Sequence, residues 1–255
     1  MPYKIQRYGW IHDLPDQRDY LYAAPVMAVE ALPASVDLRP QCPPVYDQGQ
    51  LGSCTGNAIA GAIQFAQMKE RLAQTFTPSR LFIYYNERAM EGTVGSDSGA
   101  QIRDGIKSVA KLGACPESMW PYDITKFTDK PPAADYTAAA QHKVKTYSRL
   151  TQSLVLMKGC LASGYPYVFG FTVYESFESP EVAKSGDVPM PKANEQPVGG
   201  HAVVAVGYDD AHQKFIVRNS WGSGWGLAGY FLIPYAYLTQ ASPALASDFW
   251  TIRLV

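Results

Sequence analysis

Along the first half of the chain the apolar positions keep a helical spacing. Between Thr55 and Leu72, Ala58, Ile59, Ala62, Ile63, Phe65, Ala66 and Met68 recur every three or four residues, with Gln64, Gln67, Lys69 and Glu70 between them. That is the pattern of an amphipathic helix, and its N-terminus falls at Cys54. Two more helices are predicted at about 78–90 and 100–112, the second from Ile102, Ile106, Val109, Ala110 and Leu112 with Gly113 as its stop. After Lys130-Pro131-Pro132 the spacing changes. A predicted helix at about 151–162 leads into short runs bounded by Gly, Asp and Pro: 168–173, 202–206, 215–217 and 230–233. A helical lobe followed by a β lobe is an α+β arrangement, with a natural cleft between the two. Neither the opening 34 residues, with prolines at 2, 15, 25 and 33, nor the loop from Arg39 to Ser53 can be helical. The opening segment reads as an extended arm laid on the domain.

Composition narrows the function classes. The chain has 255 residues, 47% hydrophobic, 18% charged and 13% aromatic, which is a folded protein large enough for one two-lobed domain. Its 22 Lys+Arg against 23 Asp+Glu carry no basic cluster, so neither nucleic acid nor an anionic membrane is an expected partner. The uncharged stretch Leu161 to Tyr174 is broken by Gly and Pro and falls short of the roughly 20 apolar residues of a membrane helix. No secretory signal is visible at the start, which leaves the cytoplasm or a non-standard export route. The four cysteines at 42, 54, 115 and 160 are too few for a disulfide scaffold. If one of them works as a thiol, the others form at most one bridge, and the redox compartment stays open. No His-Glu-x-x-His or paired Cys-x-x-Cys occurs, and His12, His142 and His212 lack ligand-spaced partners, so no metal and no cofactor is expected.

The candidate chemistry starts at Cys54. At a helix start, unpaired N–H groups and the helix dipole favour an anion, which lowers a thiol's pKa and makes a thiolate nucleophile. His201 opens the apolar run 202–208 after Gly199 and Gly200, and the polar turn 209–213 separates that run from Phe215 to Asn219. Read as an antiparallel hairpin with its turn centred near residue 210, this sets His201 opposite Asn219, within side-chain hydrogen-bonding reach. An imidazole oriented by an amide and poised over a thiol is what cysteine acyl transfer requires. The oxyanion that forms needs two donors, and the Cys54 N–H and the Gln48 side-chain amide are the candidates.

Gln48 to Cys54, Gly200-His201-Ala202-Val203, Asn219-Ser220-Trp221-Gly222 with Gly224-Trp225-Gly226, and Gly229-Tyr230 together resemble the papain and cathepsin cysteine peptidases, in that family's order of Gln, Cys, His and Asn. His201 follows Cys54 by 147 residues and Asn219 by 165, against about 130–150 in the family. Leu32 to Arg39 is similar to a mature papain-like N-terminus, and Glu117 to Tyr122 to a segment after the third helix of the helical lobe. The resemblance spans about 32–255. It implies a papain-like two-lobe fold, a helical left lobe at about 45–125 and an antiparallel β-barrel-like right lobe at about 140–240. It also implies a peptidase domain at 33–255 and an N-terminal arm or short pro-segment at 1–32. In the site it implies Cys54 as nucleophile, His201 as base and acid, Asn219 as orienter and Gln48 as oxyanion donor. Trp221 would shield the His–Asn bond. Gly99 would lie where substrate backbone pairs, and Gly200 would open an S2 pocket to bulky apolar side chains.

Some features depart from the family. Leu51 stands where a bridging cysteine is expected, so the usual left-lobe disulfide cannot form there, and Thr55 replaces an aromatic residue. The long helical pro-domain of typical members is absent, so the arm from Tyr8 to Tyr22 is expected to cover the cleft. The function expected is a monomeric cysteine endopeptidase, a thiol protease acting on peptide or protein substrates and held as a zymogen. Its rivals are a catalytically idle papain-like peptide-binding protein and a thiol acyltransferase, the latter distinguished by an Asp as third member.

Overall fold

The fold is that of a computed structural model, which describes residues 7–25 and 31–254. Helix α1 (Cys54–Lys69) is the axis of the molecule. It lies between α2 (Arg80–Glu91) and α3 (Ile102–Lys111) on one side and the sheet on the other. It is therefore buried on nearly every face, Asn57 and Gln67 included, and not only along the predicted stripe. Ser79 caps α2, its Oγ accepting from the Phe82 N–H at 3.1 Å, and Gly92 ends it at φ 73°. Gly113 (φ 85°) closes α3 by donating to the Val109 carbonyl, as its sequence position predicts.

The second half forms a seven-stranded antiparallel sheet. In order across it run β4 (Thr146–Arg149), β9 (Ala246–Arg253), β5 (Tyr167–Tyr174), β6 (Pro197–Asp209), β7 (Lys214–Arg218) and β8 (Tyr230–Pro234), with β2 (Ser35–Asp37) added to the far end of β6. The β lobe thus reaches beyond 240, because β9 is an interior strand between β4 and β5. Arg218 is buried and donates from Nη1 to the Pro43 carbonyl at 2.7 Å, which pins the proline-rich loop leading to Gln48 against β7. Among the described residues no helix is long and apolar enough to cross a membrane.

The N-terminal arm lies on this body. Its β1 (Trp10–Ile11) pairs in parallel with β3 (Ala100–Gln101). Further along, the Tyr22 N–H donates to the Arg149 carbonyl at 2.8 Å, tying the arm to the β4 edge.

Candidate active site

Cys54 is the first residue of α1, delivered by the loop Gly52-Ser53. Ser53 does not cap the helix with its side chain. Its hydroxyl is shared with the Tyr122 hydroxyl and with the Asn57 amide, which donates at 3.0 Å. The first-turn N–H groups are thus left without a side-chain acceptor from the cap residue. The Cys54 sulfur receives backbone hydrogen bonds from Ala202, Gly9 and Thr55, which puts it beside the residue following His201. The helix start alone predicts a depressed thiol pKa, but burial pushes Cys54 up to about 12. The sulfur is fully covered here, and desolvation outweighs the partial charges of one helix end.

His201 and Asn219 meet, though not in the register expected. β6 and β7 pair Val204 with Arg218 and Ala205 with Val217, and a bulge follows between Ala205 and Gly207. The turn is centred beyond residue 210, which puts the pairs beside it three positions from the expected register; the one extra residue of the bulge brings this back to two, and Asn219 falls just beyond the end of β7. A slip of two keeps the same face, so the side chains still converge. His201 Nε2 lies 2.8 Å from Asn219 Oδ1. The same oxygen accepts the Ser220 N–H at 2.8 Å, which identifies that atom as the acceptor. Nε2 must therefore carry the proton and donate it, leaving the buried Nδ1, which has no hydrogen-bond partner, as the free base. Burial pushes the imidazole down to about 4, with the Asn219 bond opposing.

Trp221 is buried over the imidazole, ring centroids 5.1 Å apart, and is itself packed edge-on against Phe177 and Trp225. Trp221 therefore belongs to the aromatic core at the point where it lies against the imidazole. Gln48 is fully buried. Its Oε1 accepts from Ser220 Oγ at 2.7 Å and its Nε2 donates to the Leu51 carbonyl at 2.9 Å, so one amide hydrogen of two is committed to the loop before Cys54.

The cleft is filled by the arm. Tyr8 stands edge-on to His201, centroids 6.0 Å apart, and 6.4 Å from Trp221. Gly9 passes Cys54, and its carbonyl accepts the Ala100 N–H at 2.8 Å. A Cβ at Gly99 would come within 2.2 Å of the Gly9 oxygen, and one at Gly200 or Gly170 would strike the Trp10 indole at 2.7 or 1.9 Å. The pocket that Gly200 opens is thus shared with Gly170, a residue sequence reasoning missed, and it holds a bulky aromatic ring. Also missed was Asp248, in a kink of β9 at φ 58°. Its Oδ2 accepts the Trp10 Nε1–H at 3.2 Å and the Asp13 N–H at 2.9 Å. Asp13 in turn accepts from Trp250 Nε1 at 2.8 Å and from the Arg103 N–H at 3.0 Å. Burial, then the nearby Asp248 charge, pushes Asp13 up to about 6. Arg149 spans Asp248 (3.2 Å) and Asp19 (3.3 Å), and Arg103 pairs with Asp19 where both side chains are almost fully buried.

Residues 32–241 match the family described as papain family cysteine protease. The chain is similar to the crystal structure of xylellain, a cysteine protease from Xylella fastidiosa, at 46% identity and TM-score 0.91 over 97% of this chain and 96% of that one. An uncharacterized peptidase C1-like protein of Acanthamoeba polyphaga mimivirus is 45% identical over 98% of this chain and 88% of its own length. The digestive procathepsin L 3 of Tenebrio molitor shares the fold, at TM-score 0.74 and 20% identity over 99% of this chain and 77% of that one.

Proposed function

Because this chain belongs to the papain family of cysteine proteases, and so is a cysteine peptidase, we propose that it is an endopeptidase with Cys54 as nucleophile and residues 1–32 as a self-blocking pro-segment. The observation that carries the catalytic reading is the bare Nδ1 of His201, held by the Nε2–H bond to Asn219 next to a thiol at a helix start. With the arm away, Nδ1 takes the Cys54 proton and the helix N-terminus supports the thiolate. The thiolate attacks the peptide carbonyl carbon. The resulting oxyanion is received by the Cys54 N–H and by the Gln48 Nε2 hydrogen not bound to Leu51. As the C–N bond breaks, His201 returns its proton to the leaving amine. It then draws a proton from water, which attacks the acyl-enzyme and frees the thiol. Trp221 keeps water from the His–Asn bond and so strengthens it. Gly99 gives substrate backbone room to pair. Gly200 leaves space for a bulky apolar residue before the cleaved one, as Trp10 illustrates.

The blocking role rests on the arm's own contacts. Gly9 covers the sulfur, Tyr8 covers the imidazole, and the two catalytic groups are held as neutral thiol and neutral imidazole. The test is labelling by a thiol-directed epoxide peptide mimic, with mass mapping, on the full chain and on a chain starting at Ala31. Labelling of Cys54 only after truncation is the expected outcome. Labelling of both would make the arm structural, and labelling of neither would favour the idle peptide-binding protein.

A further inference from the structure

Two backbone segments form the walls of the cleft where Gly9 passes: the loop before Cys54 and the strand start at Gly99. Both crowd the same residue, since a Cβ on Gly9 would lie 1.6 Å from the Gly52 oxygen and one on Gly99 would lie 2.2 Å from the Gly9 oxygen. Nothing covalent holds these walls together. Leu51 excludes a bridge from the first wall, and all four cysteines are unpaired.

A carboxylate stands in that place. Asp97, half-buried just before β3, accepts the Gly52 N–H with both oxygens, at 3.1 and 3.0 Å. Its Oδ1 also accepts the hydroxyl of Tyr84, a fully buried residue of α2, and that hydroxyl accepts the Gly99 N–H at 3.1 Å. One carboxylate and one phenol therefore link the peptide two residues before Cys54 to the peptide that begins the pairing strand. Arg88 braces the pair. Its guanidinium lies 4.0 Å over the Tyr84 ring and donates to the Val94 and Ser96 carbonyls at 3.0 and 2.8 Å, which holds the loop carrying Asp97. Gly52 fits the clamp closely, since a Cβ there would come 3.0 Å from Asp97 Oδ1. Burial and Asp97 both push the Tyr84 phenol up, so it stays protonated and remains a donor to the carboxylate.

We propose that Asp97 is a positioning residue that, through Tyr84, fixes the nucleophile loop against the substrate-pairing strand, a hydrogen-bonded replacement for the bridge that Leu51 excludes. The inference rests on the peptidase reading above, with Cys54 as nucleophile. Its consequence is that the width of the cleft is set by a charge and a phenol and does not depend on thiol redox state.

The test compares the full chain with Asp97→Ala, Asp97→Asn and Tyr84→Phe, each on a Trp10→Ala background that empties the pocket the arm fills. Steady-state kinetics and amide hydrogen exchange are read on the same proteins. Asp97→Ala is expected to lower kcat by roughly 10–100-fold, the scale of a small misplacement of reacting groups. Asp97→Asn keeps one acceptor oxygen and is expected to recover most of that loss. Tyr84→Phe releases only Gly99, so KM is expected to rise with kcat nearly unchanged. Exchange at Gly52 should quicken in Asp97→Ala, and exchange at Gly99 in both Asp97→Ala and Tyr84→Phe, while the sheet stays protected. Unchanged exchange at Gly52, or faster exchange over the whole chain with no split between kcat and KM, would overturn the proposal. Turnover by Cys54→Ala would overturn the peptidase reading instead, and the exchange measurement would then decide Asp97 by itself.

Discussion

A single amide oxygen sets the catalytic tautomer. Asn219 Oδ1 takes one proton from the Ser220 backbone and one from His201, so the ring has no alternative donor orientation. Asn219→Ala removes the one acceptor of both bonds and is expected to reduce kcat/KM on the order of 10²-fold, read with a peptide substrate after arm removal. Titration of the pair follows from its burial. A thiol raised to about 12 stays protonated, and an imidazole lowered to about 4 stays neutral, so between those values the arm-covered site holds no ion pair. Alkylation of the full chain by iodoacetamide is expected to climb steadily from pH 7 to 9, whereas a chain freed of its arm reaches a plateau near neutrality. Asp13 titrates with the opposite stability sign from an ordinary paired carboxylate. Its folded pKa, about 6, lies above the unfolded value near 3.8, so its contribution is fully present below about 4 and is lost as pH rises through 6. The Tm deficit of Asp13→Ala should accordingly be larger at pH 4.5 than at pH 7.

At the scale of elements, what the sequence disclosed is what local periodicity encodes. The stripe from Ala58 to Met68 announces α1, and short apolar runs bounded by Gly and Asp announce β6 and β7, which is enough to bring Cys54, His201 and Asn219 into one site. Neither the turn centre beyond residue 210 nor the bulge after Ala205 has a mark in the apolar pattern; the turn moves the register by three residues and the bulge returns one, an even slip at the site that kept the face. Strand β9 was illegible for a physical reason. It carries Asp248 in a left-handed kink opposite a register shift between Val168 and Gly170, and that buried carboxylate is matched by donors from a segment more than two hundred residues upstream. The raised thiol pKa was hidden for the same reason, since its cause is burial in the folded site, which the helix that bears the cysteine does not reveal. Gly170 on β5 now has two roles that one substitution separates. Gly170→Ala puts a methyl 1.9 Å from the Trp10 ring, which should loosen the arm and speed epoxide labelling of Cys54 in the full chain. The same methyl narrows the pocket, so cleavage of substrates with a bulky apolar residue one place before the cleaved one should fall relative to substrates with a small residue there.

For the whole molecule, the arm's hold is ionic where it is driest. Arg103 pairs with Asp19 with each side chain about 5% exposed, and it also donates to the Leu14 carbonyl, far from the reacting atoms. Removing Arg103 leaves the buried Asp19 with only the longer Arg149 contact at 3.3 Å, at a cost below the roughly 3–5 kcal/mol of a buried charge left with no partner. Arg103→Ala is therefore expected to unlatch the arm, seen as faster proteolysis within residues 10–25 and faster labelling of Cys54. Because the pair is sheltered, raising NaCl from 0.05 to 0.5 M should change neither rate appreciably. The arm and the cleft it fills are, finally, parts of one polypeptide. On the reading proposed above, occupancy of the cleft is a first-order property. It is the same in a dilute assay as in a crowded cell, because the tether supplies an effective concentration on the order of millimolar whatever the total protein. A single cut in that tether turns a permanent occupant into an ordinary ligand that can be diluted away, so one hydrolytic event suffices to commit each molecule.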